Sequence, residues 1–261
     1  MNKRLKYLIS SLVCAVGFGL FISLPYESRY FGLMAGVVLV VFCIWFGLGI
    51  LFSGNFFVRM MSILQPALFF MGFGMFGSLL ANSVWLVVLM SVLFGGVMYA
   101  TFLVENVFLV AIGFKTVPLY RAAYTVSLIM ILLSAFFAFD TMFSFRAAYY
   151  LNTLAAFVIA GLLFLYHYWS VVIELSDDGK NISMWSYVLI PALIMGEMTM
   201  VLSFWPAGIF KGSVYLVSAI YVICGLLQAD IRNRLFGKTV AMFIWISVAI
   251  LAAILIITRW N

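Results

Sequence analysis

Two glutamates, Glu105 and Glu197, lie inside long apolar stretches of this sequence, and their carboxyl groups are the first candidates for chemistry. A charged side chain at the centre of a bilayer costs at least about 2.5 to 3.5 kcal/mol, so each acid should face the protein interior, have a partner or hold a proton. Each acid can therefore be a structural partner of a neighbouring helix, or a group that binds a proton or a solute. The sequence leaves both interpretations open.

A first polar group is expected at the depth of Glu105. Asn106 follows Glu105 directly, and Gln65 should lie at a comparable depth in an earlier helix. His167, the single histidine of the chain, is the expected partner of Glu105. A lone histidine among aromatic residues is, however, also typical of a buried or interfacial packing residue. The sequence thus predicts an inner polar group of Gln65, Glu105, Asn106 and His167.

A second polar group is predicted nearer the opposite face of the membrane. Lys211 follows a tight turn and should reach the depth of Glu197 in the adjacent antiparallel helix, where the two side chains can form an ion pair. Asp140, Arg146 and Asn152 should lie at the same outer level. A Glu197–Lys211 pair is one interpretation of this group, and an outward-facing polar vestibule is the other.

Several chemistries lack the residues they need. One histidine is too few for a multi-histidine metal centre or a haem held by two histidines, and the glycines at 72, 74 and 77 lack the Lys and hydroxyl of a phosphate-binding loop. The last apolar stretch contains no lysine for a retinal Schiff base. We therefore expect no metal and no cofactor, and we assign no catalytic residue.

The composition identifies the environment of these side chains. Hydrophobic residues make up 67% of the chain, charged residues only 8%, and the mean hydropathy is +1.24, whereas soluble domains carry about 25% charged residues. Lipid offers no partner to a bare backbone amide, so the spanning elements should be helices. The sequence predicts an all-α polytopic transmembrane helix bundle, a single domain over residues 1–261 with no soluble domain, in contact with a lipid bilayer.

Apolar runs of about 20 residues, the length that crosses a bilayer as a helix, occur nine times. The third run contains Gln65 and Pro66 besides its three glycines, so it could be re-entrant, which would leave eight spans. The predicted spans are roughly 5–24, 31–53, 62–81, 84–114, 121–143, 147–174, 184–204, 209–227 and 239–258.

Small residues on three helices predict packing faces. Ser127, Ser134 and Thr141 form one stripe, and Gly32 with Gly36 forms another. A third stripe on the fourth span should face other helices, because its members recur about every 3.6 residues. It consists of Ser91, Gly95, Met98, Thr101 and Glu105.

The distribution of the fourteen basic residues favours nine spans over eight. Lys and Arg concentrate in cytoplasmic loops. Nine spans with the N-terminus inside place ten basic residues inside and four outside. Eight spans would place seven basic residues on each side. Scattered cations of this kind set topology and do not indicate nucleic acid binding. The four outer residues are Arg29, Arg146, Lys211 and Arg259; the ten inner ones are Lys3, Arg4, Lys6, Arg59, Lys115, Arg121, Lys180, Arg232, Arg234 and Lys238.

Polar groups at two depths suit a protein that transports or senses a small solute or a proton, with the glutamates as titratable groups. We favour this non-enzymatic role for an integral protein of the cell membrane, with the N-terminus in the cytoplasm and the C-terminus outside. One alternative is a scaffold or subunit that binds membrane-protein partners or further copies of itself. The other is an enzyme for a lipid-linked substrate, in which Arg146 and Lys211 hold a phosphate and Glu197 or Asp140 is the base.

Overall fold

The computed structural model describes residues 3–49, 56–80, 83–113, 118–173, 183–206 and 208–258. Throughout these ranges the regular structure is helical, and nine helices are long and apolar enough to cross a membrane. A helix satisfies its own backbone amides, which is what lipid requires. The prediction of an all-α transmembrane bundle is confirmed. Lys115, Lys180 and Arg259, which entered the charge count, lie outside the described residues.

The helix boundaries follow the apolar runs closely. A short 3-10 turn, Tyr26–Ser28, precedes the second helix, and the third begins earlier than predicted, at Phe56. The helices are α1 (Lys3–Ser23), α2 (Arg29–Leu48), α3 (Phe56–Leu79), α4 (Val84–Gly113), α5 (Tyr120–Ser144), α6 (Tyr149–Val172), α7 (Met184–Ser203), α8 (Ile209–Ile231) and α9 (Gly237–Ile257).

The third helix supports the count of nine spans. Its 24 residues are about 36 Å long at 1.5 Å per residue, which is enough for a hydrocarbon core of about 30 Å. Pro66 lies inside α3 without ending it. A re-entrant segment would have to reverse direction within the membrane, and α3 runs as one continuous helix.

The chain divides into two compact units, Met1–Ser134 and Ala135–Asn261, and the division falls within α5. The former is called unit 1 and the latter unit 2. Each unit has its own set of helix contacts, which are described separately. The prediction of a single domain over residues 1–261 stays a prediction.

Unit 1 has an aromatic core built around α1. The fully buried ring of Phe18 stacks on Phe94 at 4.5 Å and on Phe73 at 5.1 Å between ring centroids, and it meets the edge of Phe70 at 6.0 Å. These rings come from α1, α3 and α4, so one cluster joins three helices. Stacked and edge-on pairs of this kind add about 0.5 to 1.5 kcal/mol each beyond the area that they bury.

Glycines and other small residues let the helices of unit 1 approach closely, as predicted. A Cβ atom on Gly36 would lie 2.0 Å from Cζ of Phe70, and a Cβ atom on Gly95 would lie 2.8 Å from Cβ of Ala15. The predicted stripe on α4 therefore faces α1, and its deeper members Met98 and Glu105 are at most 1% exposed. The packing role predicted for these two stripes is confirmed.

Unit 2 is organised by the contact between α6 and α7. Ala160 and Ala192 are fully buried, and a Cβ atom on Gly196 would lie 3.4 Å from the carbonyl oxygen of Thr153. Helix α8 packs against α6, α7 and α9. Helix α9 buries only Phe243 and Ile254, so nearly all of its side chains can face lipid.

The close approach at Gly36 yields a stability prediction. Gly36→Ala should lower the free energy of unfolding by about 1 to 3 kcal/mol, because overpacking a filled core costs that much and the Phe70 ring is held by Phe18, Phe21 and Phe94. Thermal unfolding of the purified protein in mild detergent measures the effect. Gly96→Ala is the matched control, since a Cβ atom there meets nothing within 4 Å. Equal midpoints for the two variants would contradict the packing described.

Candidate functional site

Three residues of the predicted inner group are buried or half-buried in unit 1, and two of them form specific hydrogen bonds. Gln65 and Glu105 are each 1% exposed. The Asn106 amide oxygen accepts a hydrogen bond from the Tyr7 hydroxyl at 2.9 Å, and the Gln65 amide donates to the Ser134 hydroxyl at 3.0 Å. Three residues of the predicted inner group thus belong to unit 1, and two of them have partners that we did not predict.

The Tyr7–Asn106 bond follows from the antiparallel packing of α1 and α4. Ala15 meets Gly95 across this interface, and the ring of Tyr7 lies parallel to that of Phe102 at 6.1 Å. The start of α1 therefore lies beside the end of α4. The signal was present in the sequence, because Tyr7 and Asn106 are both near the predicted inner ends of their helices.

Within the described part of the chain, polar atoms around Pro66 in α3 lack hydrogen-bond partners. Proline has no N–H, so the carbonyl of Ser62, four residues earlier, loses its helical donor. Among the described residues the Ser62 hydroxyl and the Gln65 Oε1 atom are buried without a hydrogen-bond partner. Each such atom costs about 1 to 3 kcal/mol, so this polar interior of unit 1 is kept at a cost to stability.

Glu105 is a second buried polar residue of unit 1. Its side chain is on the α4 face that packs against α1, one turn after Thr101, whose hydroxyl donates to the Val97 carbonyl at 2.9 Å. The burial predicted for Glu105 is confirmed. The predicted pairing with His167, which belongs to unit 2, stays a prediction.

His167 is fully buried in α6, and its Nε2 atom lies 3.1 Å from the carbonyl oxygen of Cys224 in α8. A carbonyl oxygen only accepts hydrogen bonds, so this contact places the proton on Nε2. The His167 carbonyl in turn accepts a bond from the Ser170 hydroxyl at 2.7 Å. His167 therefore joins α6 to α8, which is the packing role that its aromatic neighbourhood also indicated.

A cavity of about 310 Å3 in unit 2 contains two residues of the predicted outer group. It lies where the α5–α6 turn meets the α7–α8 turn, and we call it the Arg146 cavity. Besides Arg146 and Asn152, its lining includes Ser203, Trp205, Gly208 and Gly212.

Arg146 supplies the charge of this cavity. Its φ of 49° lies in the left-handed region, which costs a residue other than glycine about 1 kcal/mol or more. The side chain is exposed, and its guanidinium has no hydrogen bond or ion pair among the described residues. The strained turn thus places a cation without a partner among the described residues at the cavity, and strained backbone of this kind clusters at functional sites.

Two further features favour an anion at this site. Helix α8 begins beside the cavity, after Gly208 with a φ of 76°, and the first N–H groups of a helix carry partial positive charge. The Asn152 amide donates to the Ala147 carbonyl at 3.3 Å, which uses one of its two N–H groups. An anionic group can therefore meet a guanidinium, an amide and a helix N-terminus in one place.

Asp140 lies close to the cavity without forming part of its lining. Its side chain is 8% exposed, and its Oδ1 atom is 3.5 Å from the Ser213 hydroxyl, which donates a shorter bond of 2.8 Å to the Ile209 carbonyl. A contact of 3.5 Å is a weak hydrogen bond. Ser213 follows Gly212 of the lining, so Asp140 is one layer away from the Arg146 cavity.

The predicted Glu197–Lys211 ion pair is not formed. Lys211 Nζ donates to the carbonyl of Ile257 at the end of α9, 3.2 Å away. Glu197 is exposed and has neither a hydrogen bond nor an ion pair among the described residues. The expected pair was based on the similar predicted depths of the two residues, but the rotation of α8 turns Lys211 towards α9.

Comparison with known proteins places the chain in a family. A family model described as "Protein of unknown function (DUF5656)" matches residues 53–258, which is well over half of the 261 residues. The chain belongs to the DUF5656 family. The matched range includes Glu105, Arg146 and Glu197, whereas Tyr7 lies outside it. No curated protein and no solved structure matches the chain.

The Tyr7–Asn106 bond provides a prediction for this region of the DUF5656 protein. Tyr7→Phe should lower the free energy of unfolding by about 0.5 to 1.5 kcal/mol, the net worth of one such bond. Denaturant unfolding in mild detergent measures the change. Tyr99→Phe removes a hydroxyl without a partner among the described residues and should be neutral. If Tyr7→Phe is neutral as well, the bond does not hold α1 to α4.

Proposed function

We propose that this DUF5656 protein binds a small anionic solute in the Arg146 cavity and transports or senses that solute at the membrane. The observation that carries the proposal is the unpartnered guanidinium of Arg146, held by a left-handed turn beside a cavity. A volume of about 310 Å3 is at the small end of ligand sites, which measure about 300 to 1,000 Å3. The solute is therefore small.

The proposed orientation of the chain determines on which side of the membrane the Arg146 cavity opens. With the N-terminus in the cytoplasm and nine spans, the turn between α5 and α6 lies outside the cell, so the Arg146 cavity opens to the exterior of the cell membrane. The excess of basic residues predicted inside supports this orientation. The site would then capture its solute from outside.

Glu105 is the proposed titratable group of the same activity. It is a buried acid, and an intramembrane acid is a functional candidate by default. A proton taken up or released at Glu105 could couple to the movement or the sensing of the anion. In proteoliposomes that take up the anion, Glu105→Gln should change the pH dependence of uptake; an unchanged dependence would remove Glu105 from the proposal.

The structure offers less support for the two alternatives. The enzyme alternative needs Arg146 and Lys211 on one phosphate, but Lys211 bonds to Ile257 and lines a different cavity, together with Phe210 and Tyr215. The scaffold alternative needs a surface that binds another protein. The apolar outer face of α9 suits contact with lipid as well as it suits contact with a protein. Transport or sensing of an anion is the function that the geometry favours.

Binding of inorganic phosphate, sulfate and acetate to the purified protein, measured by calorimetry in mild detergent, tests the proposal. We expect saturable binding of at least one of these anions, and Arg146→Gln should weaken it at least about tenfold, because a charge-assisted hydrogen bond is lost. Lys211→Gln is the matched control: it removes the same charge in the first turn of α8, outside the cavity lining. Equal losses in both variants, or no binding of any anion, would contradict the proposal.

A further inference from the structure

Glu197 is an acid on an otherwise apolar outer face of α7. It lies six residues before the end of the helix at Ser203, which is about 9 Å along the axis. The residues one turn away on the same face, among them Ile194 and Val201, are large, apolar and exposed. Glu197 thus lies at a depth where lipid would otherwise surround it.

A Glu197 side chain that stays charged in this position requires a partner from outside the described residues. Glu197 has no hydrogen bond and no ion pair among the described residues, and Lys211, the cation expected to pair with it, is bonded to Ile257. Leaving a charge in hydrocarbon is costly. The partner should therefore carry positive charge.

Next to Glu197 is a cavity of about 310 Å3, which we call the Glu197 cavity. Helix α8 packs against both α7 and α9, and the cavity occupies the recess between these three helices. Its walls are apolar apart from one acid and two aromatic residues. The lining includes Glu197, Trp205, Tyr215, Val201, Leu251 and Ile254.

We propose that the Glu197 cavity is a binding site for a small organic cation, such as an alkylammonium group. The carboxylate of Glu197 neutralises the charge, the rings of Trp205 and Tyr215 provide the faces that attract ammonium groups, and the apolar walls accept the hydrocarbon substituents. The combination of one acid, two aromatic rings and an apolar wall is the chemistry that recognises such a cation.

The same walls argue against other cationic partners. A metal ion such as Ca2+ takes about six to eight oxygen ligands, and the lining offers only one carboxylate and one phenol. A basic helix from another protein is about 10 Å across and fills about 420 Å3 for each turn, so the cavity of about 310 Å3 cannot enclose a turn of it. A small organic cation matches both the volume and the charge.

This site is separate from the proposed anion site. The Arg146 cavity and the Glu197 cavity share Leu202 and Trp205, but the charged residue of each is absent from the lining of the other. Arg146→Gln should therefore leave cation binding unchanged, and Glu197→Gln should leave anion binding unchanged. Either proposal can fail without the other.

Calorimetry with benzyltrimethylammonium, on the purified full chain in mild detergent, tests the proposal. We expect saturable binding with one site per chain. Glu197→Gln should weaken it at least about tenfold, since the charge is lost while size and shape are kept. Glu27→Gln is the matched control, because it removes one acid from the turn before α2 in unit 1 and should leave the affinity unchanged. Neopentylbenzene, the uncharged carbon isostere of the probe, should bind at least about tenfold more weakly than the cation.

Three results would overturn the proposal. Absence of probe binding to the wild-type chain would mean that the cavity is not a cation site, as when Glu197 is covered by another protein. Equal affinity of the wild type and Glu197→Gln, or equal affinity of the cation and its uncharged isostere, would mean that the cavity recognises only apolar bulk. A Leu251→Trp variant provides a second check: it fills the cavity from α9 and should abolish binding while Glu197 is still present.

Discussion

The bilayer core holds no water that could bond to polar side chains, so each of them needs a partner within the protein. This constraint separates the side chains that hold helices together from those that are left to bind a ligand. Most polar side chains satisfy it locally. Thr101 and Thr199 donate to carbonyls one turn earlier, and His167 reaches the carbonyl of Cys224 in the neighbouring helix. Arg146 and Glu197 have no such partner among the described residues, and both line cavities. The same rule that explains the packing thus identifies the candidate ligand sites.

The two units meet this constraint in different ways. In unit 1, Gln65 and Glu105 are both buried, and the Ser62 hydroxyl and the Gln65 Oε1 atom have no hydrogen-bond partner among the described residues. In unit 2, the charged candidates border recesses at the ends or the outer faces of helices. A buried polar group suits a proton, whereas recesses of about 310 Å3 suit small molecules. The range matched by the family model includes Gln65, Glu105, Arg146 and Glu197.

Features that depend on one chain segment could be predicted from the sequence, and features that depend on helix rotation could not. The length of each apolar run gave the nine helices, and the spacing from Ser91 to Glu105 gave the α4 face that packs on α1. Depth alone suggested that Lys211 pairs with Glu197, but depth does not say which way a side chain points around the helix axis. Lys211 turns to α9 for this reason. Trp205, which borders both cavities, carried no signal in the sequence.

The central claim is that Arg146, which has no partner among the described residues, lines a cavity that opens to solution. Labelling of Ser203→Cys, in the lining of the Arg146 cavity, by a thiol reagent that cannot cross membranes tests this claim directly in intact cells. The three native cysteines are buried, so they add little background, and Ser170→Cys at a fully buried position is the control. We predict labelling of Ser203→Cys and none of Ser170→Cys. If Ser203→Cys reacts only after the protein is denatured, the cavity is not open to solution, and the claim is wrong.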